Sequence, residues 1–405
     1  MTNRYSPDFI RLTIADFLVR SAYQVGKTPL LPIFAASLGA TDAFLGLIVS
    51  VSTMTGLVLK PLIGILSDRW GRRIWLIVGT IFFTIIPFVY QWVETPTQLF
   101  IIRIIHGTAT AIYGPVTLAY ITEQTKINRA EKLGVFSMAR SAGYIVGPAL
   151  AGWLLLSLDP ATIFSIIGFI SLIAFIPILF LQEPKQLAET QQTMPLWEQM
   201  KDALSASSRT SAVWISGGLE SAMFVVLYTI KAFLPLFALE HGVNIGLIGL
   251  FFALQEAVHL ILKPFGGRLG DTWGYRLTIG SGVIILSGAI LLLTFINTGL
   301  MLLIPAILMG VAQALIFPST VALIAAQISE INLGGSMGFA GTLRNFGKVM
   351  GPIIGGLMIG QWGFIITIRL LGVCLVLAVF VQIIYLFKRP LQDRITMTPA
   401  MKGGK

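Results

Sequence analysis

The chain has 405 residues, of which 55% are hydrophobic and 11% are charged, and its mean hydropathy is +0.84. A soluble domain carries about 25% charged residues, so this composition excludes a soluble globular protein and predicts a membrane protein. The formal net charge of +10 does not indicate nucleic acid binding, because the basic residues follow a membrane topology. The only cysteine, Cys374, excludes an intrachain disulfide.

Twelve apolar segments of membrane-spanning length follow one another along the chain. They lie near residues 9–36, 44–67, 74–93, 98–121, 133–157, 162–182, 211–238, 246–268, 276–296, 299–325, 335–359 and 363–387. The longest polar interruption separates six spans from six. The sequence therefore predicts an all-α membrane protein made of an N-terminal six-helix bundle (1–182), a cytoplasmic linker (183–210), a C-terminal six-helix bundle (211–390) and a cytoplasmic tail (391–405).

Lysine and arginine are distributed unequally between the two sides of the predicted membrane. The six loops on one side hold none, whereas the loops and tails on the other side hold eighteen. Because basic residues accumulate on the cytoplasmic side, both termini are predicted to be cytoplasmic, in a multi-pass protein of the cell inner (plasma) membrane.

The second span ends in a polar hairpin, and a second copy of this hairpin follows 203 residues later. The copies are residues 60–73 (KPLIGILSDRWGRR) and 263–276 (KPFGGRLGDTWGYR). Their acids, glycines and arginines between apolar runs predict a tight turn between two membrane helices. Asp68 lies at the negative end of its own helix, so we expect Arg72, or the N-terminus of a helix from the other half, to hold it.

The two halves match at nearly the same offset well beyond the hairpin, which indicates an internal repeat. Matching positions are Leu31-Pro32 with Leu234-Pro235, Gly107 and Pro115 with Gly310 and Pro318, and Arg140, Gly143, Gly147 and Pro148 with Arg344, Gly347, Gly351 and Pro352. Two pseudo-symmetric bundles with a cleft at mid-membrane are typical of secondary transporters.

With these motifs the chain resembles the major facilitator superfamily over nearly its whole length. Residues 64–73 match the family's loop motif, and residues 103–107 resemble its span-four motif, with His106 where glutamine is common. Residues 143–152 resemble the span-five motif associated with proton-linked exporters, departing from it at Ala151. The resemblance implies a twelve-span drug:proton antiporter-like exporter that works by alternating access.

Two further sets of residues are predicted to act in conformational change, the first from the resemblance and the second from the spacing of its small residues. A conformational latch that closes the inner side would use Gly64, Asp68, Arg69, Gly71, Arg72, Arg73 and Asp271. A smooth helix face that seals the interface between bundles would use Gly143, Gly147, Pro148, Gly152, Gly347, Gly351 and Pro352. The alternatives are a hairpin cap with a topology signal for the first set and ordinary small-residue packing for the second.

Charged residues inside the spans are the main candidates for a functional site, since each costs at least about 2.5 kcal/mol at a helix centre. The cations are Arg20, Lys27, Lys60, Arg103, Arg140, Lys231, Lys263, Arg344, Lys348 and Arg369. The only acids deep in the predicted spans are Asp16, Glu220 and Glu256, so the spans carry a net positive charge.

Asp16 and Lys27 are eleven residues apart, as are Glu220 and Lys231. Eleven residues is close to three helical turns, which predicts each acid and its lysine on one helix face, roughly 16 Å apart. At this depth we expect the buried pairs Asp16–Lys60 and Glu220–Lys263. Lys27 and Lys231 then form a clamp for an anionic group or snorkel toward the outer headgroups. Asp16, Arg20 and Glu220 complete the predicted substrate-binding set.

Proton coupling is assigned to Arg103, by resemblance, and to Glu256 with His259. The last two are three residues apart in span eight, hence on one helix face, and both can change protonation. The alternatives are a structural hydrogen bond from Arg103 to carbonyls and a satisfied core pair for Glu256 and His259.

The sequence therefore predicts a secondary transporter, most simply a proton-coupled exporter of a small organic or amphipathic compound that can be anionic. An organic-anion exchanger or importer is the first alternative, and a non-transporting membrane receptor or scaffold is the alternative of another class. No enzyme motif, metal-ligand spacing or cofactor site is found in the sequence. The expected partners are the substrate, protons and the lipid bilayer, and no nucleic acid. The protein is expected to be a monomer.

Overall fold

The computed structural model describes residues 5–124, 129–183, 211–295, 299–327 and 330–387, and within these ranges the secondary structure is helical. The α-helices are α1 (Pro7–Val25), α2 (Leu30–Ser37), α3 (Asp42–Trp70), α4 (Arg72–Val89), α5 (Pro96–Gln124), α6 (Arg129–Leu154), α7 (Pro160–Ile173), α8 (Phe175–Leu179), α9 (Ser211–Glu240), α10 (Ile245–Trp273), α11 (Tyr275–Leu292), α12 (Leu303–Ala325) and α13 (Glu330–Phe387). Short 3₁₀ helices cover Tyr90–Trp92, Leu293–Phe295 and Gly299–Leu302.

Nine helical stretches of the described residues are long and apolar enough to cross a membrane. One of them, Ser336–Ala378, contains Gly363, whose φ of 76° and ψ of 167° interrupt α13 and divide it into two spans. The pair α1 with α2, and the helix α6, complete the twelve spans. The predicted fold class is therefore confirmed. Nearly all of the predicted linker and the whole predicted tail lie outside the described residues, so the domain boundaries stay predictions.

The first span is not one continuous helix. Helix α1 ends at Val25 and α2 begins at Leu30, immediately after Pro29. Proline has no backbone N–H and cannot continue the helical hydrogen-bond ladder. The prediction that Asp16 and Lys27 lie on one face of a single helix is therefore wrong, because Lys27 lies in the break.

The break in the first span has no counterpart in the seventh. Glu220 and Lys231 both lie within α9, which continues from Ser211 to Glu240. Their predicted placement on one continuous helix is confirmed.

The described residues form two compact units. The first unit takes its residues from 1–192, 228–253 and 349–360, and the second from 193–227, 254–348 and 361–405. The core of the first unit is a cluster of aliphatic and aromatic side chains that includes the fully buried Leu12, Tyr113 and Tyr120. In the second unit, Val213, Ile324 and Ala340 form a buried cluster.

Candidate transport site

The first hairpin turns at Gly71, whose φ of 92° favours glycine, and the second turns at Gly274 with a φ of 91°. Asp68 forms an ion pair with Arg72, the first of the two partners predicted for it. The Arg72 guanidinium also donates to Glu123, with 2.7 Å between Nη2 and Oε1, and to the Ser67 hydroxyl. Arg72 therefore ties the end of α3 to the end of α5.

Glu183 completes this hairpin and was missed by the sequence analysis. Its carboxylate accepts the backbone N–H groups of Arg72 and Arg73, at 2.5 and 2.9 Å. These are orphan donors at the start of α4, where the helix dipole favours an anion. The only sequence signal is an acid at the start of the polar linker, because Glu183 lies more than a hundred residues from the turn it caps.

The second hairpin carries a weaker version of the same contact. The Tyr275 hydroxyl donates to Asp271 at 3.1 Å, where the first hairpin has an ion pair between Asp68 and Arg72. The remaining predicted latch residues lie at the end of α3 and the start of α4. Gly64 and Arg69 lie on α3, and Arg73 donates to the Leu179 carbonyl oxygen at 2.8 Å.

The predicted small-residue faces allow very close helix packing. A Cβ at Gly143 would meet the Ser21 backbone, and one at Gly147 would collide with Gln24, which places α6 directly against α1. Gly152 faces Gly249 of α10 across a similarly short distance.

The equivalent stripe of α13 packs in the same way. A Cβ at Gly347 would collide with the Ser221 backbone, and the Gly351 carbonyl accepts from Thr229 at 2.7 Å. A Cβ at Gly46 of α3 would collide with the Pro352 carbonyl group. Near this point the Ser50 hydroxyl donates to the Val349 carbonyl at 2.7 Å. Close packing is confirmed for both stripes, and their role as a seal stays a prediction.

The buried acids have arginines as partners, so the predicted pairs Asp16–Lys60 and Glu220–Lys263 are wrong. Asp16 is 1% exposed. Its carboxylate accepts hydrogen bonds from Nε and Nη2 of Arg140, each at 3.0 Å, and from Nε of Arg20 at 3.3 Å. The planar guanidinium of an arginine can donate two parallel hydrogen bonds to one carboxylate, which the ammonium group of a lysine cannot do.

The acid of the second half forms the equivalent pair. Glu220 is 2% exposed, and its carboxylate accepts a hydrogen bond from Nε of Arg344 at 2.7 Å. A threonine joins each pair: Thr117 accepts from Arg140 at 2.7 Å, and Thr320 donates to Glu220. The repeat therefore preserves an acid–arginine–threonine triad in each half.

Arg103 is 1% exposed and lies among aromatic side chains of the first unit. Its guanidinium carbon is 5.9 Å from the centroid of the Tyr23 ring, and it interacts electrostatically with Tyr23 and Tyr90. Its Nε and Nη2 atoms have no hydrogen-bond partner among the described residues, so the alternative of hydrogen bonds to carbonyls does not account for these two nitrogens.

Lys27 and Lys231 meet at one aromatic ring. Their Nζ atoms lie 5.2 and 5.5 Å from the centroid of the Tyr228 ring, and Lys27 also lies 5.8 Å from the ring of Tyr23. Lysine ammonium groups at these distances are attracted by the faces of aromatic rings. Lys27 thus lies between two tyrosines, with Arg103 and Lys231 in electrostatic range.

Glu256 and His259 are neighbours on α10, as the sequence predicts. His259 Nδ1 lies 3.5 Å from Glu256 Oε2, and both side chains are less than one fifth exposed. The imidazole ring packs edge-on against Phe317 at 5.3 Å, and Phe317 stacks on Phe224 at 5.3 Å. The Glu256–His259 pair therefore lies against two stacked aromatic side chains.

Repeated membrane spans with charged residues inside them are typical of secondary transporters. The sequence profile of the Major Facilitator Superfamily matches residues 17–254 and 221–396. The chain therefore belongs to this family and is a multi-pass membrane transporter of small molecules.

Relatives of known name support the same family. The chain is 26% identical over 344 residues to multidrug resistance protein 1 of Bacillus subtilis, covering 82% of this chain and 84% of that protein. It is 25% identical over 351 residues to the multi-drug resistance efflux pump PmrA of Streptococcus pneumoniae, covering 83% and 85%. Among solved structures, the nucleoside transporter NupG has a TM-score of 0.81 at 15% identity, covering 95% of this chain and all of that one. That likeness shows the fold alone.

Proposed function

We propose that this transporter is a proton-coupled exporter of small organic or amphipathic compounds and that it accepts organic anions. The observation that carries the proposal is the pair Lys27 and Lys231 at the Tyr228 ring. Export is supported by the span-five motif and by the names of the two multidrug relatives.

The electrostatic surroundings of Lys27 favour an anion. The charged groups that act on it are the cations Arg103, Lys231 and Lys60, together with the tyrosine Tyr23. Among the residues that the structure describes, Lys27 forms no ion pair with a carboxylate. Lys27 is half-buried. A cation within a membrane span is costly without a compensating charge, and an anionic group of the substrate would offset that cost.

Replacing Lys27 or Lys231 by glutamine should weaken binding of an anionic ligand by roughly 1 to 3 kcal/mol each, the scale of a charge-assisted hydrogen bond. A neutral analogue of the same ligand should bind these variants and the wild type alike. Ligand-induced thermal shifts of the purified protein measure both affinities, and Lys→Arg variants that keep the charge are the matched controls. Equal losses for the charged and neutral ligands would contradict the anion clamp.

Glu256→Gln should shift or remove the pH dependence of transport more than it weakens substrate binding, because it removes one proton acceptor of the Glu256–His259 pair. Flux into proteoliposomes from about pH 5 to about pH 9 measures the profile, a range that includes the interval in which histidine side chains ordinarily change charge. The melting temperature of the same variant is the control. A lower melting temperature with an unchanged profile would show that Glu256 only braces His259.

The lysine pair also favours a second candidate, an organic-anion exchanger or importer. Counterflow in proteoliposomes separates the two functions. Proton-coupled export predicts accumulation that depends on an imposed pH gradient, whereas exchange needs only the same or another anion on the opposite side. Uptake that ignores the gradient would favour the exchanger.

A further inference from the structure

Lys60 belongs to a group of three cations in the first unit, which we name the inner cation cluster: Lys60 of α3, Arg20 of α1 and Arg140 of α6. Arg20 and Arg140 both act electrostatically on Lys60. Gly56 and Gly114 border its side chain, and a Cβ on either would lie 3.6 Å from Lys60 Cε. The three cations therefore converge from three helices on one region of the bundle.

The inner cation cluster contains more positive charge than its carboxylate can compensate. Asp16 is the acid that pairs with it, and its oxygens already accept three N–H groups, one from Arg20 and two from Arg140. Lys60 forms no ion pair within the described ranges. Three cations and one acid leave two formal positive charges, which are expensive to keep inside a membrane protein unless an anion joins them.

The inner cation cluster adjoins the lysines at the Tyr228 ring. Lys27 interacts electrostatically with Lys60 and with Lys231, so it connects the two groups of cations. Tyr23 contributes to both, since it acts on Lys27 and on Lys60. All of these residues belong to the first unit. A ligand with two acidic groups could reach both places, whereas a single carboxylate would leave either Lys27 or the inner cation cluster uncompensated.

We propose that the substrate is a small organic dianion, with one acidic group held by Lys27 and Lys231 and the other by the inner cation cluster. This inference rests on the proposed binding of organic anions. It assigns Lys60 to the substrate site, and it gives Arg140 a second role besides its pair with Asp16.

The test compares two probes of the same shape, isophthalate and 3-carbamoylbenzoate, which differ in one carboxylate. Isothermal titration calorimetry with the purified full chain should give wild-type protein an affinity for isophthalate about tenfold or more above that for 3-carbamoylbenzoate. Lys60→Gln should abolish this preference. Lys263→Gln, which changes the exposed counterpart of Lys60 in the second half, should leave it intact. For each variant the preference is the ratio of its affinities for the two probes, measured on the same preparation. A general loss of stability lowers both affinities alike and does not alter this ratio.

Equal affinity of the wild type for the two probes, or a preference that survives Lys60→Gln, would overturn the dianion proposal. Lys27→Gln separates this failure from that of the proposed function. If Lys27→Gln weakens binding of both probes while Lys60→Gln keeps the preference for isophthalate, the anion site stands and only the dianion proposal is wrong. If Lys27→Gln weakens neither probe, or the wild type binds neither, the anion site itself is wrong and the dianion proposal fails with it.

Discussion

Replacing Asp68 by asparagine is expected to lower transport about tenfold or more while the protein still reaches the membrane. The substitution removes the charge that pairs with Arg72 but leaves apolar packing unchanged, since the side chain is 47% exposed. Interactions that bias conformational equilibria are typically worth 1 to 3 kcal/mol, which corresponds to about 5- to 150-fold. Initial flux in proteoliposomes, normalised to the amount of inserted protein, measures the effect.

Asp271→Asn is the matched control for Asp68→Asn, because it changes the same position of the second hairpin. Among the described residues Asp271 accepts a neutral hydrogen bond, from Tyr275, and forms no ion pair, so a smaller loss of flux is expected. Near-normal flux of the Asp68 variant at normal expression would contradict the latch and leave the hairpin as a cap with a topology signal.

Asp16→Asn is expected to destabilise the protein by about 3 kcal/mol, the lower end of the range for breaking a buried ion pair. The acid is 1% exposed, and its loss leaves Arg20 and Arg140 side by side without a compensating charge. The lower end applies because both arginine side chains are about one fifth exposed and are partly screened. Thermal unfolding in detergent measures the change.

Thr117→Val is the control for this second prediction. It removes one hydroxyl that accepts from Arg140 but keeps the ion pair, so a loss of about 1 kcal/mol is expected. Asp16→Asn with the melting temperature of the wild type would show that the triad contributes nothing to stability. Glu220→Gln should be destabilising as well, since it leaves Arg344 without its acid.

The sequence predicted much of the local geometry of the site. It placed Glu256 beside His259, because residues three apart share a helix face. It also named Arg72 as one of two possible partners of Asp68, and the structure shows that ion pair. It could not find the partner of Asp16. Span boundaries that are uncertain by a few residues leave the depth and rotation of each helix open, and Lys60 and Arg140 then compete for the same acid.

The sequence by itself determined the class of protein, the twelve spans and the repeat. These follow from hydropathy and spacing, which act along the chain and need no knowledge of neighbours in space. Only the tertiary structure decided which charges compensate one another. It brought Glu183 to the turn at Gly71, joined Asp16 to Arg140, and placed Lys27 and Lys231 at the Tyr228 ring. Such contacts depend on which helices pack together and at what rotation, and side chains distant in sequence carry no signal of that arrangement.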